Sequence, residues 1–471
     1  MITSPAFSGK HYAVLGLARS GLATVEALLA SGAKVTAWDS KEEARAKLKI
    51  LPIADGEGDR AQRGGGVGQD LNTGKPLHRQ PAADGPPPHP SGRENLVFAD
   101  PLTIDLTGYE SVIVSPGVPL NTHPIVGHAA QYGVPVIGDI ELFAQAREAL
   151  PPHEVVGITG TNGKSTTTAL ITHIIETAGV PTLMGGNIGL PIMGRDPLEK
   201  GGIYVLELSS YQIDLTFSLD CDVAVLTNIT PDHLDRYDGF EGYVASKLRL
   251  FSMQDAEHFA VLGEPHIGER WLSPRIPNAN LLLALDYSDR QANWPALQGP
   301  HNHQNAACAI ATCEALGISE AAIEEGLRTY PGLPHRMQRV AEKKGVLFVN
   351  DSKATNATAT APALGAYPKI HWILGGLPKT DDLDDCAPYF DHVAAAYTIG
   401  QAGPMYARIL AEAGKKVTES GTLDQAVKDA AAAARPGEVV MLSPACASFD
   451  QFSDYEARGD AFRRAVEGLS L

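Results

Sequence analysis

The chain has 471 residues, with 38 Lys and Arg against 55 Asp and Glu, for a formal net charge of −17. That balance excludes a general nucleic-acid binder, which carries a basic footprint, and a surface that docks on anionic lipid. Hydrophobic residues make up 44% of the chain, enough for several cores, yet no apolar run approaches the ~18–20 residues of a membrane span.

At about 150 residues per domain the length predicts three domains. The N-terminal stretch lacks a basic-then-apolar signal, and the five cysteines (Cys221, Cys308, Cys313, Cys386, Cys446) form no CxxC pair. The expectation is a cytoplasmic multidomain enzyme without a disulfide framework or a cysteine zinc site.

Residues 12–15 read as a strand, Gly16 and Gly21 as a turn, roughly 22–30 as an apolar-periodic helix, and 34–38 as a second strand ending at Asp39. Residues 54–92 hold nine Gly and six Pro with only Val67, Leu71 and Leu77 as large apolar residues, so they read as a disordered insertion. Beyond it, 111–115 is a strand running into Ser115-Pro116-Gly117. A second βα region opens after Pro151-Pro152, with strands at 155–159, 203–207, 223–227 and 259–263. A third runs from about Gly332, with strands near 346–350, 370–374 and 439–442. Alternation of this kind predicts parallel sheets with helices on both faces.

Gly16-Leu17-Ala18-Arg19-Ser20-Gly21 has the place of a phosphate-binding turn, and Asp39 that of a ribose- or base-contacting acid. Ala18 stands where a middle glycine would, so these residues are equally a plain βα turn. Gly160-Thr161-Asn162-Gly163-Lys164-Ser165-Thr166 is more specific. Its backbone N–H groups would cradle phosphates, Lys164 would reach the β/γ-phosphates, and Ser165 would hold Mg²⁺. Glu207, at a strand end before a polar cluster, offers an oxygen ligand for that ion. Thr227-Asn228-Ile229-Thr230-Pro231-Asp232-His233 places an acid beside a histidine able to bind metal or carry a proton. Nothing in the periodicity singles out Lys247, which reads as a solvent-facing helix lysine.

Together with Asn187-Ile188-Gly189 and His301-Asn302-His303-Gln304-Asn305, these strings resemble the ATP-dependent Mur ligases of peptidoglycan synthesis. His335-Arg336, Asn350-Asp351-Ser352-Lys353-Ala354-Thr355-Asn356 and the string from Leu442 through Ser443-Pro444-Ala445-Cys446-Ala447-Ser448-Phe449 are similar to the branch that adds D-glutamate to UDP-N-acetylmuramoyl-L-alanine. The resemblance covers everything except 54–92.

It implies an α/β chain of three domains. These are a Rossmann-like UDP-substrate domain (1–138), a P-loop ATPase-type central domain (139–332) and a Rossmann-like amino-acid domain (333–471). Arg19, Ser20, Asp39, Ser40, Ser115, Pro116 and Gly117 would hold the uridine diphosphate. The 160–166 loop, Asn302, Asn305, Arg336 and Asp351 would bind ATP, with Asn187 and Lys353 near the reacting groups. Ser165, Glu207, His233 and Lys247 would hold two Mg²⁺, Lys247 as a CO₂-derived carbamate. Thr355, Lys379, Ser448 and Phe449 would bind D-glutamate, with Tyr455 at the rim. Tyr455 stands where the resemblance leads one to expect Phe, and Lys379 alone reads as a surface lysine. A monomer acting on small molecules, without nucleic-acid or membrane partners, is expected.

Three rivals are weaker. A folylpolyglutamate synthase needs no N-terminal uridine domain. A regulatory ATPase leaves the strings near Lys379 and Ser448 unused, and an NAD-linked oxidoreductase leaves the 160–166 loop unexplained.

Overall fold

The structure, a computed structural model, describes residues 1–50, 92–264 and 280–469. The glycine- and proline-rich stretch 54–92 therefore lies, but for its last residue, outside the described residues. One compact unit comprises Met1–Leu150, Leu190–Pro197 and Leu215–Ser218, and a second the remainder.

The first unit holds a five-stranded sheet. Its strands are β1 (His11–Leu15), β2 (Lys34–Trp38), β3 (Leu96–Phe98), β4 (Ser111–Val114) and β5 (Val136–Ile137), in the order β3-β2-β1-β4-β5 and all parallel. Strands buried on both faces read as unbroken apolar runs, as β4 does with Ser-Val-Ile-Val. The helix that follows β1 begins at Arg19, three residues before the position expected from periodicity. Gly21 lies inside that helix because a Cβ there would overlap the carbonyl of Gly16. The residue read as closing a turn is thus the one that lets the helix start press onto it.

In the second unit β6 (His153–Thr159), β7 (Thr182–Gly186), β8 (Gly202–Glu207), β9 (Val223–Leu226), β10 (Phe259–Leu262) and β11 (Asn280–Leu283) form a parallel sheet ordered β11-β10-β9-β6-β8-β7. The helices Lys164–Thr177 and Pro300–Ala315 cover it, and Ile171, Ile174, Val205, Val225, Trp294 and Cys308 share one buried cluster.

A third sheet, also in this unit, contains β12 (Gln338–Lys343), β13 (Val346–Asn350), β14 (Ile370–Gly375), β15 (Val393–Ile399), β16 (Val417–Gly421) and β17 (Val439–Leu442). Its order is β12-β13-β17-β14-β15-β16, with only β12 antiparallel. Separate clusters around Trp372 and Phe348 pack its two faces. All five cysteines are buried and free. Among the described residues no helix is long and apolar enough to cross a membrane.

Candidate active site

The loop between β6 and the helix Lys164–Thr177 is held open by glycine and by its neighbours. Gly163 has φ +81°, and a Cβ there would run into the side-chain amide of Asn305. Asn228, at the end of β9, braces the loop from the other side. Its carbonyl accepts from Thr161 N at 3.0 Å, its Oδ1 accepts from Asn162 N at 2.9 Å, and its Nδ2 donates to Asn162 O at 3.1 Å. Lys164 Nζ folds back to donate to the carbonyls of Gly160 (3.0 Å) and Thr161 (2.8 Å). Burial lowers its pKa, against the opposing pull of Glu207.

Gly163→Ala strains the backbone and displaces Asn305. A roughly tenfold loss of affinity for a phosphate-bearing nucleotide, equivalent to ~1.4 kcal/mol, is expected in a binding titration.

Glu207 ends β8 and is 2% exposed. Its Oε1 accepts from Asn187 Nδ2 at 2.9 Å, while Oε2 is buried with no hydrogen-bond partner among the described residues. A buried, unpartnered carboxylate oxygen is costly unless a cation completes it.

Lys247, expected from periodicity to face solvent, is 1% exposed. Its helix, Gly239–Ser252, turns it inward, where Nζ lies 3.4 Å from Thr159 Oγ1 and 4.7 Å from the Tyr243 ring centroid. Burial, then the nearby Lys164 cation, hold its pKa well below the usual lysine range, although Asp232, Asp214 and Glu207 pull the other way. His233 adopts φ +51°, with its Nε2 3.5 Å from Asp232 Oδ2 and its ring 5.1 Å from that of Tyr211. Ser165 is buried in the first turn of the loop helix.

A cavity of about 390 Å³ opens beside the loop. Asn162, Gly163, Thr166, Asn302 and Asn305 line one side, and Arg336, Asp351 and Lys353 line another. Its volume suits a nucleotide-sized ligand. Asn305 is oriented by Thr167, whose Oγ1 donates to its Oδ1 at 3.2 Å, and its Nδ2 donates to Asn302 Oδ1 at 3.2 Å.

Asp351 is buried, 6% exposed, and accepts from Met337 N (3.1 Å) and Ser443 Oγ (2.7 Å). Burial pushes its carboxyl up to about 7. Such an acid keeps its proton in the native state after the unfolded chain has lost it, so it removes stability as pH rises from the ordinary carboxylate range to about 7. Asp351→Asn is expected to flatten that slope. Thermal melts from pH 4 to 8 without nucleotide should show the variant melting above wild type by a few degrees at the alkaline end.

At the cavity wall, Lys353 Nζ sits 3.9 Å from the Tyr455 ring centroid. Lys379 Nζ donates to Thr355 Oγ1 at 3.2 Å. A two-way backbone pairing of Leu377 with Ala447, at 2.9 and 3.0 Å, brings the loop of Lys379 beside buried Ser448. Phe449 turns to solvent, 69% exposed.

The first unit has its own candidate pocket. Asp39 Oδ2 accepts from Leu17 N at 2.7 Å, which ties β2 to the first glycine turn. Ser115 Oγ donates to the Gly16 carbonyl at 3.3 Å. Gly16, Ser20, Ser115, Pro116 and Asp139 surround a small hollow there. Arg19, Ser40 and Gly117 are exposed near it.

Comparison with known proteins agrees with this arrangement. The Mur ligase middle domain matches residues 158–294, and the Mur ligase glutamate ligase domain matches 335–446. A UDP-N-acetylmuramoylalanine–D-glutamate ligase of Novosphingobium aromaticivorans is 58% identical, covering 100% of this chain and 97% of the relative. That of Zymomonas mobilis is 57% identical over the full length of both. The chain belongs to the Mur ligase family.

Solved Mur ligases share the fold. The UDP-N-acetylmuramate–alanine ligase of Thermotoga maritima superimposes with a TM-score of 0.53 at 16% identity, covering 97% of this chain and 99% of that one. The MurF ligase of the same organism, in complex with ADP, gives 0.51 at 18% identity, covering 73% and 92%.

Within this Mur ligase, sequence reasoning passed over two kinds of residue. Asn228 carries no local signal that it braces the 160–166 loop. Asp139, in the N-terminal hollow, carries a buried carboxyl pushed up to about 6 by burial and had no sequence signal beyond its place after Gly138.

Proposed function

We infer that this Mur ligase joins D-glutamate to UDP-N-acetylmuramoyl-L-alanine at the expense of ATP, in cytoplasmic peptidoglycan precursor synthesis. The observation that carries the reading is identity of 57–58% along the whole chain to ligases of that name. The cavity beside the 160–166 loop supports it.

The chemistry follows from the groups. A carboxylate does not condense with an amine at neutral pH, because oxide is a poor leaving group. Attack of a substrate carboxylate oxygen on the γ-phosphorus breaks the bond to ADP and gives an acyl phosphate. The amine of D-glutamate then attacks the carbonyl carbon and loses a proton, and the tetrahedral intermediate expels phosphate. Two anions must meet in the first step. Lys164, Arg336 and Lys353 would offset that repulsion and stabilise the charge on the transferring group.

Glu207, with its unpartnered Oε2, and Ser165 fit one Mg²⁺. His233 and Lys247 are proposed for a second. Bound there, the ions would supply positive charge at the phosphate oxygens. A buried lysine that is readily neutral can add CO₂, forming an N–C bond and releasing a proton, and so become an anionic oxygen ligand. That is the role proposed for Lys247. Asn187 would be oriented toward the reacting phosphate by Glu207.

Thr355, Lys379 and Ser448, with Phe449 and Tyr455 at the edge, are proposed to hold D-glutamate, with Lys379 facing one of its carboxylates. The N-terminal set Arg19, Ser20, Asp39, Ser40 and Ser115 to Gly117 is proposed for the uridine diphosphate. Three domains bounded near 138 and 332, acting as a monomer, complete the reading.

The test is phosphate release with ATP, Mg²⁺, UDP-N-acetylmuramoyl-L-alanine and either glutamate enantiomer. Turnover that depends on D-glutamate is expected. Absence of turnover with both enantiomers overturns the reading.

A further inference from the structure

Arg458 is 1% exposed, and no carboxylate forms an ion pair with it among the described residues. Its hydrogen bonds go instead to neutral groups on two separate loops. Nε donates to Ser352 Oγ at 3.0 Å, and Nη2 donates to the carbonyls of Ser352 (2.9 Å) and Cys446 (3.0 Å). Nη1 donates to the Ala447 carbonyl at 3.2 Å. Burying a guanidinium is costly, and the cost is offset only where its donors are satisfied in their fixed planar fork.

Local sequence puts the fork there. Asp454 caps the helix Tyr455–Glu467 by accepting from Ala457 N at 2.6 Å, which places Arg458 in the first turn, pointing inward. Gly376 leaves room, since a Cβ on it would stand 3.1 Å from Arg458 Nη1.

The clamped backbone is the backbone of the proposed amino-acid pocket. Ser352 lies three residues before Thr355, and its Oγ donates to the Tyr455 carbonyl at 2.8 Å. Ala447 immediately precedes Ser448 and pairs with Leu377, two residues before Lys379. Asp351, on the nucleotide side, has its own supports in Ser443 and Met337. One side chain thus ties together the segments carrying Lys353, Tyr455, Ser448 and Lys379 while leaving the support of Asp351 to others.

We propose that Arg458 is a positioning residue for the incoming amino acid, fixing the spacing between the Ser352–Lys353 and Ala447–Ser448 segments and so the affinity for the dicarboxylate rather than for ATP. This rests on the reading of Thr355, Lys379 and Ser448 as the glutamate pocket.

The experiment compares wild type, Arg458→Lys and Ser352→Ala by steady-state kinetics with each substrate varied in turn. Lysine keeps the charge but presents its donors from one point and cannot span both loops. Arg458→Lys is expected to raise the KM for D-glutamate roughly tenfold or more, with the KM values for ATP and the UDP-substrate within about twofold of wild type. Ser352→Ala, which removes one partner of the fork, is expected to move the same constant in the same direction by a smaller factor. A fall in kcat with all KM values unchanged means a purely structural arginine and overturns the proposal, as does an equal rise in the KM for ATP. Should Arg458→Lys lack a cooperative melt, Ser352→Ala decides, and an unchanged KM for D-glutamate in that variant overturns it. Wild-type turnover that does not saturate with D-glutamate would instead overturn the pocket reading, and this inference with it.

Discussion

Glu207→Gln is expected to lower kcat at least a hundredfold, a loss of about 2.7 kcal/mol of transition-state stabilisation, without lowering the melting temperature of the nucleotide-free protein. Glutamine keeps an oxygen to accept from Asn187 Nδ2, so the geometry at the end of β8 survives. What disappears is the charge on a carboxylate whose Oε2 is buried without a partner. In the resting protein that charge is offset by the Asn187 amide and by the cations of Lys164, Lys247 and Lys353. In turnover its proposed task is to hold a cation against the phosphates. Phosphate release and thermal melting together check both halves. A variant that is active, or inactive only because it melts early, contradicts the assignment of Glu207 as a metal ligand.

Lys247→Ala is expected to cost at least as much activity, again a hundredfold or about 2.7 kcal/mol, while the melting temperature shifts by only a few degrees. An ordinary buried lysine would be an expensive cation, and its loss would relieve strain or leave a modest cavity. Lys247 Nζ has one long hydrogen bond, to Thr159 Oγ1 at 3.4 Å, and lies over the Tyr243 ring. Those contacts do not explain why a lysine occupies a site closed to water. The carbamate proposed for it would, because CO₂ added to the neutral amine turns a buried cation into an anionic oxygen ligand. Wild-type rates in Lys247→Ala would show the lysine to be a packing residue.

Much of the framework was legible without coordinates. The strands at 34–38, 346–350 and 439–442 coincide with those expected, because interior strands of a parallel sheet are unbroken apolar runs flanked by turn residues. Edge and outer strands escaped notice. β12, Gln-Arg-Val-Ala-Glu-Lys, is half charged, and β16, Val-Thr-Glu-Ser-Gly, is mostly polar, since an edge faces water and needs no apolar run. β7 ends in Gly185-Gly186, where a Cβ on Gly186 would overlap the Glu207 carbonyl, so its identity as a strand depends on a neighbour 21 residues away.

The site divides along the same line. The order of residues alone pointed to the 160–166 loop as a candidate phosphate site, because a glycine turn followed by Lys-Ser at a strand–helix junction is a local arrangement. It also determined, through strings similar to a known family, which residues to inspect near 350 and 446. Only the tertiary structure decided that Lys247 is buried, since helical periodicity reports which face is apolar and not what a lone lysine on that face meets. Only it decided that Asn228 braces the loop, that Phe449 stands in solvent, and that Arg458 joins segments more than 90 residues apart. Those are facts of long-range packing, set by where separate strands end, and no local pattern encodes them.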